Sequence, residues 1–144
     1  KKGYLSDSIN HRTKPTGKNI KSMANLEKIK IIITNQKKNV CGEIETLREN
    51  FNRDYIKFLQ NDSDNLYKLN QMLRNYNELL EVIENHPEEV KFTIKHNIEH
   101  WTDDLLYGSL QKNTNNFWVN RFHILDLEVK QYMIKQYKMC LTKN

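Results

Sequence analysis

The residues best equipped for chemistry fall in one short stretch, His96–Asn97–Ile98–Glu99–His100. Two imidazoles four residues apart can share a metal ion, and a carboxylate between them can take a proton from metal-bound water. The pattern H-x-x-E-H would therefore suit metal-assisted hydrolysis, with zinc as the ion. Such a site needs a further ligand downstream, and only Glu128 and a few Asp follow the motif. At about 100° per residue, His96 and His100 also point away from the apolar stripe of their own segment. A zinc hydrolase is thus the remote alternative; no metal ligand, cofactor or catalytic residue is expected. The chain has no G-x-S-x-G, C-x-x-C or Gly-rich phosphate loop, and only 4 Gly to build one.

Two further residue sets could bind or react. Cys41 and Cys140 match no metal spacing. Lys28, Lys30, Lys37 and Lys38 belong to a basic N-terminal portion that could grip phosphates. Residues 1–38 hold 10 Lys/Arg against 2 Asp/Glu, and residues 39–144 hold 13 against 16. The resulting +8 and −3 sum to the net +5 of the whole chain. A basic segment ahead of a slightly acidic body attracts anionic partners: nucleic acid, lipid headgroups or an acidic protein face. Nothing aromatic is interleaved with these lysines to stack on bases, so nucleic acid is the less favoured partner.

The elements that must position these residues follow from apolar periodicity. Residues 1–19 mix Gly3, Pro15, Gly17, Ser and Lys without any period, and are expected to form a basic flexible tail. From about 20 to 60, Leu26, Ile33, Val40 and Leu47 recur every seven residues, with Ile44, Phe51 and Phe58 as the companion row. Asp54 interrupts that seam where an apolar residue belongs. A second helix, about 64–85, carries Leu66, Leu69, Leu73, Tyr76, Leu80 and Ile83 and stops at Pro87. A third, about 87–112, carries Val90, Ile94, Ile98, Trp101 and Leu105. A fourth, about 115–142, carries Trp118, Phe122, Leu125, Val129 and Tyr132.

Short connections between long helices make neighbours antiparallel, so the expectation is all-α: an up-down-up-down four-helix bundle over residues 20–144. In that topology the first and last helices are adjacent. Cys41 then lies 19 residues below the top of the first helix and Cys140 24 below the top of the fourth. A rise of 1.5 Å per residue puts them within about 7 Å in height, close enough to suggest a disulfide. Leu127, Ile134 and Leu141 form a second apolar row on the fourth helix, opposite Trp118 and Val129. One buried face does not require it, so a membrane surface, the folded-back N-terminal segment or a second copy in weak self-association could cover it. Gln136, like Asp54, falls on an otherwise apolar seam, which loosens a bundle unless it is hydrogen-bonded.

Composition bounds the rest. The chain of 144 residues is one domain long, and its longest aliphatic run, Ile31–Ile33, is far short of the roughly 20 apolar residues that span a bilayer. It begins at Lys1 rather than Met, as expected of a processed or trimmed chain with any targeting segment out of view. There are 19 Asn and 18 Lys against a single Ala, the bias of an AT-rich genome. With the seamed helices and imperfectly apolar core, this composition resembles the small secreted helical proteins of malaria-type parasites, the sporozoite cell-traversal proteins in particular. That resemblance implies a non-enzymatic protein of a microneme-like secretory organelle, acting on a host cell membrane or surface protein. It carries over no residue roles. A second resemblance rests on Asn85–His86–Pro87–Glu88–Glu89–Val90 followed by Trp101–Thr102–Asp103–Asp104. These are similar to a stretch of the meiotic coiled-coil recombination cofactors of the Mnd family, implying a helical cofactor for nucleic acid or a protein partner.

Overall fold

A computed structural model describes residues 17–108 and 115–142, with side chains from residue 25 onward. Residues 1–16 of the expected tail, together with 109–114 and 143–144, lie outside the described residues, whereas residues 17–19, also expected in the tail, already belong to the first helix. Within them every regular element is helical and no strand occurs. There are five helices: α1 (Gly17–Arg53), α2 (Tyr55–Asn61), α3 (Ser63–Asn85), α4 (Val90–Gly108) and α5 (Phe117–Leu141), with a 3-10 turn at Pro87–Glu89 before α4.

The single first helix expected over 20–60 is in fact two. Asp54 leaves helical geometry (φ −150°, ψ 91°) and its carboxylate accepts a hydrogen bond from the Lys57 amide at 3.1 Å. An aspartate there satisfies an amide that would otherwise lack a partner, so it starts a new helix instead of weakening the old one. The turn into α2 brings Phe58 into a buried position, while Phe51 stays half exposed. Asn116 caps α5 in the same way, accepting from the Val119 amide at 3.0 Å.

Polar contacts between helices fix their directions. Asn50 donates to Asp62 at 3.3 Å and Lys30 meets Glu84 at 4.0 Å, so α1 and α3 run antiparallel. Lys28 donates to the Thr142 carbonyl at 3.1 Å and Gln36 to the Gln136 side chain at 3.0 Å, so α1 and α5 are antiparallel too. Tyr67 donates to Asp126 at 2.8 Å and Tyr137 to the Asn75 carbonyl at 3.1 Å, which makes α3 and α5 parallel. Lys130 pairs with Asp104 at 3.0 Å, and His123 approaches the Gly108 carbonyl at 3.4 Å, so α4 runs against α5. The molecule therefore has an upper end, with α2, the starts of α3 and α5 and the end of α4. At its lower end the start of α1 meets the start of α4 and the end of α5.

The core runs between these ends. Ile33, Tyr76, Ile94, Met133 and Tyr137 are fully enclosed, and the stripes of all four long helices contribute to one cluster. Burying each such side chain stabilises the fold by roughly 1.5–3 kcal/mol. The one buried side-chain polar atom without a hydrogen-bond partner among the described residues is the Tyr76 hydroxyl.

Candidate functional site

The H-x-x-E-H residues lie on the outside of α4. His96, Glu99 and His100 are exposed, and the rings of Phe92, His96 and His100 stack along the helix with centroids 5.8 and 6.2 Å apart. His100 turns toward Asp104, 3.6 Å away, and that carboxylate is shared with Lys130. Among the described residues, the one His/Cys/Asp/Glu trio close enough to share an ion is instead His86, Glu88 and Glu89, all exposed at the start of the 3-10 turn. Glu88 and Glu89 also stand in the first turn of a helix, where acidic charge is favourable.

The expected disulfide is absent. Cys41 is an exposed free thiol and Cys140 a buried one. The height estimate failed because the first helix ends at Arg53, not near 60, so Cys41 sits closer to the top than assumed. With Gln36 level with Gln136, Cys41 is offset from Cys140 by roughly ten residues, on the order of 15 Å. Burial pushes the Cys140 thiol up to about 11, with Lys28 pulling in the opposite direction.

The four candidate lysines do not form one patch. Lys28 is held against the end of α5 and Lys30 by Glu84, while Lys37 and Lys38 lie further along α1. Leu127, Ile134 and Leu141 are not a free face either. Ile134 and Leu141 pack against the core. Leu127 lies so close to Gly108 that a Cβ there would meet its methyl at 2.9 Å. All three are half-buried. Gln136, the polar residue on that helix, is buried and accepts its hydrogen bond from Gln36.

Exposed apolar residues gather mostly at the upper end, although Phe92 (70% exposed), Ile31 and Met139 are exposed toward the lower one. Trp118 (66% exposed), Phe117 (57%) and Val119 open α5, with Phe122 one turn on. Tyr107 (68%) and Leu106 close α4 beside them. Tyr55, Ile56 (62%) and Leu59 on α2 are exposed at the same end. The register explains this. The start of α3 is level with Arg121, which pairs with Asp64, and Gly108 is level with His123, so the first turn of α5 overhangs both neighbours. Trp118, expected in the core stripe, therefore stands outside it, and Phe122, one turn on, is only partly covered. They are held by ring contacts instead: Phe117 on Trp118 at 5.0 Å, and Phe122 against the half-buried Tyr67 at 4.9 Å. Burial and the Asp126 carboxylate push the Tyr67 hydroxyl above its ordinary range, so it stays a donor. An apolar hollow of about 370 Å³ lies nearby, with Phe51, Phe58 and Leu66 in its wall. The signal was present in the sequence as four large apolar residues within Phe117–Phe122, immediately after the Asn cap.

No family model, no curated protein and no solved structure matches this chain. Among the described residues no helix is long and apolar enough to cross a membrane.

Proposed function

We propose that this chain is a non-enzymatic interaction protein that docks its upper end on a membrane surface. The observation that carries this reading is the overhanging start of α5, which presents Phe117, Trp118 and Val119 to solvent beside Leu106 and Tyr107. Aromatic rings with an apolar body and a polar tip favour the boundary between headgroups and acyl chains. The patch sits on the tip of the molecule, not along a helix side, which suits a flat interface better than a coiled-coil partner. Arg53 and Lys57 at the same end offer cations to lipid headgroups, with Asp54 and Asp62 lining the same hollow and offsetting them, so the apolar residues carry the docking.

The pairwise helix directions favour reading the four long helices as an up-down-up-down bundle, with α2 an added turn at the top. The resemblance to parasite cell-traversal proteins supplies a setting for this reading: a secreted protein meeting a host cell membrane. The test is co-sedimentation and dye leakage with anionic liposomes, read alongside tryptophan emission. Binding is expected to shift the emission of exposed Trp118 to shorter wavelength, and Trp118→Ser with Phe117→Ser should abolish it. Tight, salt-sensitive DNA binding in the same buffer without liposome binding would overturn the reading in favour of a nucleic-acid cofactor.

A further inference from the structure

At the lower end, far from the aromatic tip, a cavity of about 250 Å³ opens between the start of α1, the start of α4 and the end of α5. Lys28, Lys91 and Lys95 line it together with Asn25 and Thr142. Among the described residues no carboxylate lines it. Lys91 and Lys95 are one helical turn apart on the opening turns of α4, so both amines project from the same face. They also stand at the helix end whose unpaired amides carry partial positive charge. Lys28 comes from the other side, its amine fixed by the Thr142 carbonyl at 3.1 Å. The rear wall is apolar, formed by Ile29 and Cys140, both buried.

Three lysines around one hollow, with no carboxylate lining it among the described residues, make it a place where an anion would be favoured. Lysine ammonium groups act as point charges toward phosphate, and do not demand the planar fork geometry of arginine. The apolar rear wall and the size of the hollow leave space for carbon atoms attached to the anion. We propose that Lys28, Lys91 and Lys95 form a binding site for a phosphate group, either free or carried as a monoester or diester on a small organic or lipid moiety. The site regroups Lys28 with two lysines more than sixty residues away in sequence, instead of with Lys30, Lys37 and Lys38. It does not depend on membrane docking by the upper end, which it neither touches nor requires.

The test titrates the full chain with inorganic phosphate, following the side-chain signals of the three lysines by NMR. Saturable shifts are expected at Lys28, Lys91 and Lys95 together. Lys91→Gln with Lys95→Gln should weaken binding about fivefold per lysine removed, as expected for loss of one short-range charge contact each. Lys37→Gln with Lys38→Gln removes the same net charge and should leave the affinity unchanged. Unsaturable shifts, or equal weakening by both double variants, would overturn the site in favour of general charge attraction. A second arm uses phosphatidylglycerol vesicles with Trp118→Ser and Phe117→Ser in place, so that failure of tip docking cannot be mistaken for failure of this site. Vesicles that displace phosphate from the lysines make the source a lipid headgroup. Phosphate binding without vesicle binding makes it a soluble phosphate compound.

Discussion

The two halves of α5 are made from the same kinds of residue and end in opposite environments. From Leu125 onward the inward side is buried, at Leu125, Val129, Met133, Tyr137 and Cys140, whereas Phe117, Trp118, Val119 and Phe122 ahead of it are exposed. The helix itself does not differ: both halves present apolar side chains at helical spacing. The difference is in what lies opposite. The second half has α1, α3 and α4 against it, as the contacts of Gln136, Tyr137 and Lys130 record. The first turn extends past Asp64 on one neighbour and Gly108 on the other. Apolar periodicity thus says which side of a helix is apolar, but the stagger between helices decides how much of that side is covered.

The sharpest way to break the comparison is to remove an apolar group from the closed half. Met133→Ala is expected to cost about 2–5 kcal/mol, because the side chain is fully enclosed and its neighbours can refill the space only in part. Urea unfolding followed by circular dichroism measures it. A loss below about 1 kcal/mol would mean that the closed half is packed no better than the open one.

Next in size is the Gln36–Gln136 contact, the polar feature inside the closed half. Gln136→Leu should cost about 1–3 kcal/mol, since it leaves the Gln36 amide without its acceptor at a half-buried position. Replacing both with Leu should recover most of that loss, because neither polar group is then left unpaired. The coupling is read from a double-mutant cycle. Additive losses would show that the two side chains do not act as a pair.

The Cys140 thiol offers a pH test of the same enclosure. Burial raises its pKa to about 11 in the folded chain, against an ordinary value near 8.5 when unfolded. Between those values the unfolded chain releases the proton and the folded one keeps it. Stability is therefore whole below pH 8.5 and falls as pH rises toward 11, by on the order of 1–2 kcal/mol after solvent screening. Cys140→Ser should flatten that part of the profile, whereas Cys41→Ser, at an exposed thiol, should not. A parallel alkylation measurement should modify one thiol in the native state and two in urea.

Much of the helical pattern was legible from spacing alone. The stripes Leu66 to Ile83 and Val90 to Trp101 supply buried or core-packed residues as expected, because each is flanked along its length by other helices. Pro87 ends α3 as its missing amide requires. Four features were not legible. Asp54 was visible as a defect in a seam, but that it starts a separate helix depends on backbone angles that period cannot encode. Cys41 and Cys140 were placed level by assuming a straight first helix, and the break at Asp54 removed the basis of that estimate. Trp118 and Phe122 were assigned to the core because their spacing fits, whereas overhang is a property of neighbours and not of a helix's own sequence. The lysine hollow was equally hidden, since Lys28 meets Lys91 and Lys95 only through the tertiary fold.

The smallest expected effect is the most telling for the open half. Trp118→Ser should change stability by no more than about 0.5 kcal/mol, as for a surface side chain with little buried area. The ring does touch Phe117 and lies near Phe122, at centroid distances of 5.0 and 6.5 Å, so some loss from broken aromatic contacts is expected. Those contacts are themselves wet, and the indole is hydrated in the folded and unfolded chain alike, so little burial is lost with it. The net loss is therefore small. A loss as large as that of Met133→Ala would mean the first turn of α5 is covered in solution, and the exposed tip would then be no docking surface. A near-zero change in unfolding together with lost liposome binding would separate the two halves of α5 by purpose: one holds the fold, and the other is free to meet a membrane.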